Sequence, residues 1–472
     1  MKFITKAKTI LNGGETMEKQ FEKFKGITLV ALVITIVVLL ILAGVSINLV
    51  IGENGIITKA QEASKKYQNS STNEKEEISN LEDEINSFDI PMVVDKNPGE
   101  LERENENTLV INSMEDLVYF SYSVQSGDNY EGKIVKLGLT LDFKAHKSYV
   151  DYNRSDYSQY GYNGPLQTIL TSTQGFIPIG TMEHPFKGIF DGQENKLINI
   201  LIKWENYSGL FGVIENATIK NITITGNITT ITGNEKVASS VVGYIADGTN
   251  YITNCTNYAD IKANTHVGGI VGLVNSNGSV SLYIENCANY GKVESESYVA
   301  GGILGNSGNA SKVEICDCIN YSDINGARVA GGIIGVQMNN GKLKLNVYNS
   351  CNFGNIKAQE FCAGIIGQND ATTVAEIHIS NVYNIGKINS EAGCDSSILS
   401  MSSWRKPIME NCYWMEGTSE RGVYTVNTEN IEIESITQEM MQSKEFITKL
   451  NEAKELNWKK WVKGQDGYPV LQ

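Results

Sequence analysis

Proline is scarce in this chain of 472 residues, with 7 in all, and histidine is scarcer still at 4. Charged residues make up only 20%. The histidines (His146, His184, His266, His378) lie far apart, and none stands in a His-Glu-x-x-His arrangement, so that zinc-protease signature is absent. The sequence also lacks a phosphate-cradling glycine loop and a nucleophile elbow. Positive charge is in deficit. Lys and Arg total 39 against 54 Asp and Glu, a net of −15, whereas nucleic acid demands a basic footprint. Residues 52–108 hold 14 acidic and 6 basic side chains, so more than half of the excess sits in one stretch. That stretch reads as a solvated connector.

Glycine, by contrast, is abundant at 45, and it recurs in register. A small-residue pair, two apolar residues and a glycine appear six times, closing at Gly212, Gly243, Gly272, Gly305, Gly335 and Gly367. A second motif keeps the same phase. An apolar column runs through Ile219, Ile252, Ile284, Ile315, Val347, Ile379 and Met409, and a polar one through Asn221, Asn254, Asn286, Asp317, Asn349, Asn381 and Asn411. Further columns follow at Asn257, Asn289, Asn320, Asn352 and Asn384, and at Ile228, Ile261, Val293, Ile324, Ile356 and Ile388.

A period this regular marks supersecondary units that bury their apolar faces only by stacking. Parallel strands about 4.8 Å apart would set like on like. Stacked Ile and Val fill a core, stacked Asn passes amide hydrogen bonds from turn to turn, and Asn tolerates a left-handed bend. The glycine pairs serve close backbone approach at another bend. The expected fold is mainly β: a parallel β-solenoid of about 31-residue turns over 198–417, with a long hydrophobic α-helix before it. After Gly417 the motif stops, and 418–472 is expected to cap the last turn, with Trp458, Trp461 and Tyr468 packed there. Ile436–Leu450 has helical character, weakest at Ser443.

Residues 109–197 are expected to cap the first layer. Ser113 can cap a helix that carries Leu117, Val118, Phe120 and Val124 on one face and ends at Gly127. The column Asp260, Lys292, Asp323, Asn355 and Lys387 alternates in charge along most of its length and reads as a solvated surface ladder. Of the eight cysteines, Cys255, Cys287, Cys318 and Cys412 share one repeat slot with Ile222 and Val382, which marks a small buried position. Stacked disulfides among Cys255, Cys287 and Cys318 remain an alternative. Cys316-Asp317-Cys318 has no partner pair at zinc spacing, so neither a metal nor another cofactor is expected.

Residues 27–51 carry no charge, and as a helix would be long enough to cross a bilayer. Lys19, Lys23 and Lys25 precede this run and acidic sequence follows, which places the solenoid outside the cell. Lys25-Gly26-Ile27-Thr28-Leu29-Val30-Ala31-Leu32 resembles the prepilin cleavage and methylation motif. That resemblance implies cleavage between Gly26 and Ile27, methylation of Ile27, and prepilin peptidase and pilin-like subunits as partners. Ile27 stands where the family usually has Phe, and Ala31 where pilins carry Glu, so entry into a filament stays open beside a retained signal anchor. Met17–Gly26 fits a short charged leader, and 12–17 could be encoded by a purine-rich ribosome-binding run, so translation is expected to start at Met17.

The order of motifs from residue 109 also resembles GLUG-repeat bacterial surface proteins. Pro178–Gly180, Phe186–Gly192 and Gly209–Gly212 carry that likeness, with Gly467-Tyr468-Pro469-Val470-Leu471 at the end. It implies architecture far more than activity. The expected function is a membrane-anchored or pseudopilin-like cell-surface protein that displays the solenoid to an extracellular glycan or protein. The candidate contact surface is a Tyr-rich insertion (Tyr149, Tyr152, Tyr157, Tyr160, Tyr162), unless that loop folds over the cap. The alternative is a polysaccharide lyase or hydrolase on a β-helix, which requires either paired carboxylates or a calcium and basic cluster in a groove.

Overall fold

The computed structural model describes residues 101–143, 175–230, 236–274, 279–337, 343–369, 376–401, 407–424 and 431–472. The 27–51 run, the Gly26–Ile27 junction and the five tyrosines from Tyr149 to Tyr162 lie outside the described residues. Among the described residues, no helix is long and apolar enough to cross a membrane.

The repeat folds as a parallel β-solenoid. Ile219, Ile252, Ile284, Ile315, Val347, Ile379 and Met409 pair coil upon coil in one unbroken register. All are at most 1% exposed, so the column is core. Along this column successive coils are offset by 30 to 33 residues. Three parallel sheets wrap that core. One carries the long strands such as Thr249–Asn257, a second the short strands such as His266–Gly268, and a third strands such as Val271–Val274.

The bends between strands explain the polar columns. Asn221, Asn254, Asn286, Asp317, Asn349, Asn381 and Asn411 all adopt positive φ between 45° and 58°. Asn and Asp accept that conformation better than other side chains. Asn257, Asn289, Asn320, Asn352 and Asn384 form a buried ladder in which the Nδ2 of each of the first four donates to the next coil's Oδ1 at 2.7–2.8 Å. Each of the five also donates to a carbonyl two residues ahead. The glycine pairs make room for this ladder. A Cβ on Gly269 would stand 2.8 Å from Cγ of Asn289, and one on Gly302 would stand 2.6 Å from Cγ of Asn320.

The stack runs beyond the repeat motif at both ends. Thr108–Ile111 pairs in parallel with Ile134–Leu137, which pairs with Ile189–Asp191, which pairs with Thr218–Lys220. Helix α1 (Met114–Gln125) joins the first two of these strands, and Ser113 caps it by accepting the amide of Asp116. Phe120 from α1 enters the core among Tyr130, Phe186, Phe190 and Phe211. Glu102–Arg103 pairs antiparallel with the outermost strand and so covers part of an otherwise open edge.

At the other end the sequence motif stops at Gly417, but the coil does not. Val423–Tyr424 and Ile431–Ile436 continue two of the sheets in parallel. Helices α2 (Gln438–Met441) and α3 (Lys444–Ala453) follow, separated at Ser443, which caps α3. The final segment touches the last repeat strand through Tyr468 and Met415, as the sequence suggested, but Trp458 and Trp461 pack on earlier coils, against Tyr348 and Asn349. It turns back along one flank and reaches Asp317, three coils before the last repeat strand. The reason is chemical: the flank offers an apolar column and unfilled amide valences for it to use.

Candidate functional site: a groove at the free end of a flank

Three side-chain columns share this flank. The first is the bend column, whose amides form a second ladder. Asn254 donates to Asn221 at 2.9 Å, Asn286 to Asn254 at 2.5 Å, Asn349 to Asp317 at 2.5 Å and Asn381 to Asn349 at 2.6 Å. The chain of bonds breaks between Asn286 and Asp317, because a carboxylate has no N–H to pass on.

The second column points away from the core through Thr256, Ala288, Ile319, Cys351, Tyr383 and Tyr413. It begins polar or small and becomes apolar. The third is aromatic. Tyr258 and Tyr290 stack at 4.5 Å between centroids, Tyr290 and Tyr321 at 4.4 Å, and Tyr321 and Phe353 at 4.9 Å.

The C-terminal arm covers the apolar end of these columns. Ile319, Cys351, Tyr383 and Tyr413 form a separate buried cluster with Ile436, Met441, Phe446, Leu450 and Trp461. Polar bonds fix the arm's position. The Lys459 amide donates to both Asp317 carboxylate oxygens at 3.1 and 3.0 Å, and the Lys459 carbonyl accepts from Asn349 Nδ2 at 3.0 Å. Leu450 O accepts from Asn381, and the Tyr383 hydroxyl donates to Pro469 O. The Trp458 ring stacks on Tyr348 at 5.2 Å.

The opposite end stays open. Tyr258 is 50% exposed and Tyr290 41%. A groove of about 350 Å³ lies there, lined among others by Glu194, Asn254, Asn286, Tyr290, Asp317 and Leu471. Burial pushes the Asp317 carboxyl up, outweighing the bonds from Asn349 and Lys459 that favour its charge. Burial also raises the Tyr290 and Tyr321 hydroxyls. The groove can therefore accept hydrogen bonds and present aromatic edges, and among the described residues no cationic side chain lines it.

A second groove of about 340 Å³ on another face is lined by both signs of charge. Lys262 pairs with Glu294 at 2.8 Å and with Glu296 at 3.3 Å, and Lys357 with Glu391 at 3.8 Å, so its charges are largely satisfied internally. The column Asp260, Lys292, Asp323, Asn355 and Lys387 is exposed as expected, but its bonding differs from charge alternation. Asp260, Asp323 and Asn355 each accept the backbone amide of the next coil at 2.9–3.1 Å.

All eight cysteines are free thiols, and Cys255, Cys287, Cys318 and Cys412 are fully buried in the core. Among the described residues, no group of His, Cys, Asp and Glu could hold a metal ion. His184, His266 and His378 stand apart, with His266 against Tyr298 and His378 against Tyr348. The open groove escaped the sequence reading, which aligned on core columns. Its signals were present: tyrosines at 258, 290 and 321 in repeat phase, and outward positions that turn apolar from Ile319 onward.

No protein-family model matches the chain, and no curated protein matches it. A crystal structure from Bacteroides ovatus, described provisionally as an immunoglobulin A1 protease, covers 77% of this chain and 91% of its own at 19% identity, with a TM-score of 0.47. A likeness at that level carries no argument about activity.

Proposed function

We propose that this chain is a surface-displayed binding protein. Residues 27–51 anchor it in the membrane, after prepilin-type cleavage or as a retained anchor, and the solenoid presents a flank to an extracellular glycan or protein. The observation that carries the binding role is the open groove, where Tyr258 and Tyr290 remain exposed while the same columns farther along are covered by the chain's own arm. Exposed aromatics beside unfilled amides are what a recognition surface needs.

A glycan-cleaving reading has one point in its favour: Glu194 and Asp317 line the same groove. Asp317, however, already accepts three hydrogen bonds from Asn349 and Lys459. That occupation suits an architectural carboxylate better than a reacting one, and binding remains the preferred function.

Two measurements test the proposal. Mass spectrometry of the native N-terminus should find methylated Ile27; an intact peptide across Lys25-Gly26-Ile27 would remove prepilin processing. Glycan-array and whole-cell binding should weaken in Tyr258→Ala and Tyr290→Ala, or on deletion of 149–162. Unchanged binding in all three would dismiss both candidate surfaces, and turnover of a bound polysaccharide would restore the enzyme.

A further inference from the structure

The covered half of the flank shows what kind of molecule the open half is built to hold. Each bend asparagine carries two amide hydrogens and two carbonyl lone pairs. At Asn349 the ladder consumes one of each, and the arm takes what is left. Asn349 donates one hydrogen to Asp317 and the other to the Lys459 carbonyl. Its oxygen accepts from Asn381 and from the Trp461 indole. The arm is therefore read as extended polypeptide, through a backbone amide, a backbone carbonyl and an indole.

Asn254 and Asn286 repeat this stereochemistry at φ 54° and 52°. Asn254 is tied to Asn221 and Asn286, which leaves one amide hydrogen and one lone pair for a ligand. The oxygen of Asn286 gains nothing from the coil beyond, since Asp317 has no N–H. Thr256 and Ala288 occupy the outward column here in place of Ile319 and Cys351, so no apolar patch demands an arm-like helix. The column that gives Tyr348 to the Trp458 stack carries Glu285 two coils earlier. The charged residues that line the groove itself are Glu194 and Asp317, so acceptors and negative charge exceed donors there.

We propose that the open half of this flank binds an extended, basic segment of a partner protein, continuing the interface that the arm begins. This rests on the binding role proposed above and names its partner class. Peptide N–H groups would satisfy the oxygens of Asn254 and Asn286. Lys or Arg side chains would meet Glu194 and the edge of the Asp317 site, and the ligand's apolar stems would lie along Tyr258 and Tyr290.

The test uses the full chain and a fluorescent peptide with the sequence of residues 454–464, read by anisotropy. A control peptide carries Glu at each of its four lysine positions. The expected result is saturable binding that weakens with salt, is lost in the control, and drops about 10-fold in Tyr290→Ala and in Glu194→Gln. Both positions are exposed, so neither change threatens folding; Tyr258→Ala serves as a second aromatic test. No saturable binding, or binding indifferent to these substitutions, overturns the proposal. So does binding that exposes Trp461, which would mean arm displacement, and so does a neutral chito-oligosaccharide bound at the same tyrosines in the peptide's place. A chain that reaches the cell surface and binds glycan alone sinks only this inference. A chain that binds the peptide but never leaves the cell sinks only the display role.

Discussion

Trp461 donates its indole N–H to the side-chain oxygen of Asn349 at 2.6 Å, across 112 residues of sequence. Both residues are fully buried. This bond secures the C-terminal arm to a bend of the solenoid at a point where water is excluded. Trp461→Phe removes the donor and leaves that carbonyl one partner short, at a cost of about 1–3 kcal/mol. Hydrogen exchange should show the loss as faster exchange confined to α3 and Lys459–Lys463, with the coils before Asp317 unchanged.

Asp317→Asn should stabilise the protein at neutral pH. Burial raises the Asp317 carboxyl, so the folded chain holds this proton to higher pH than the unfolded chain does. The associated stability is present at low pH and is lost as pH rises above the ordinary carboxyl value of 3.8. Asparagine carries no charge and can donate to Asn286, closing the gap in the ladder. A gain of about 1 kcal/mol is expected at pH 7, shrinking as pH falls toward the carboxyl range. Thermal melts across pH measure it, and a variant less stable at pH 7 would refute it.

Burial brings the His266 imidazole down from 6.5 to about 4. The unfolded chain therefore takes up this proton first. Stability should be fully present above about 6.5 and should decline as pH drops toward 4. An NMR titration should find His266 neutral at pH 5.5; a midpoint near 6.5 would show that its site is open to water.

Thiol labelling should proceed in a set order. Cys394 is partly exposed, whereas Cys255, Cys287, Cys318 and Cys412 lie in the core, and burial raises the Cys255, Cys318 and Cys412 thiols. Under native conditions a maleimide should modify Cys394 early and leave these four until denaturant is added. Early modification of Cys287 would contradict the core packing.

Asn320→Leu should be among the costliest single changes. Asn320 accepts from Asn289 at 2.8 Å and donates to Asn352 at 2.7 Å, all three fully buried. Leucine would orphan a donor below and an acceptor above, for about 2–6 kcal/mol in total. Chemical denaturation should show the loss. A matching change at exposed Tyr258 should cost little.

The periodic columns by themselves determined the coil. Ile252, Ile284 and Ile315 recur in one phase, Asn tolerates the bend, and paired glycine permits close backbone approach at another bend. Each of these follows from local chemistry repeated at a fixed interval, so stacking register could be read directly. The ladder of Asn257, Asn289 and Asn320 was legible for the same reason, as were the Ser113 cap and the weakness at Ser443. Where the repeat motif faded, sequence lost its hold: the strands Val423–Tyr424 and Ile431–Ile436 still stack although their motif has gone.

Only tertiary structure decided where the arm lies, and with it which part of the flank stays open. Trp461 meets Asn349, and Lys459 meets Asp317, through contacts with no repeating interval to announce them. Periodicity encodes what each coil does to its neighbour. A single excursion back along the flank is fixed by the fit of one apolar patch and a few spare amide valences, and no local pattern carries that information.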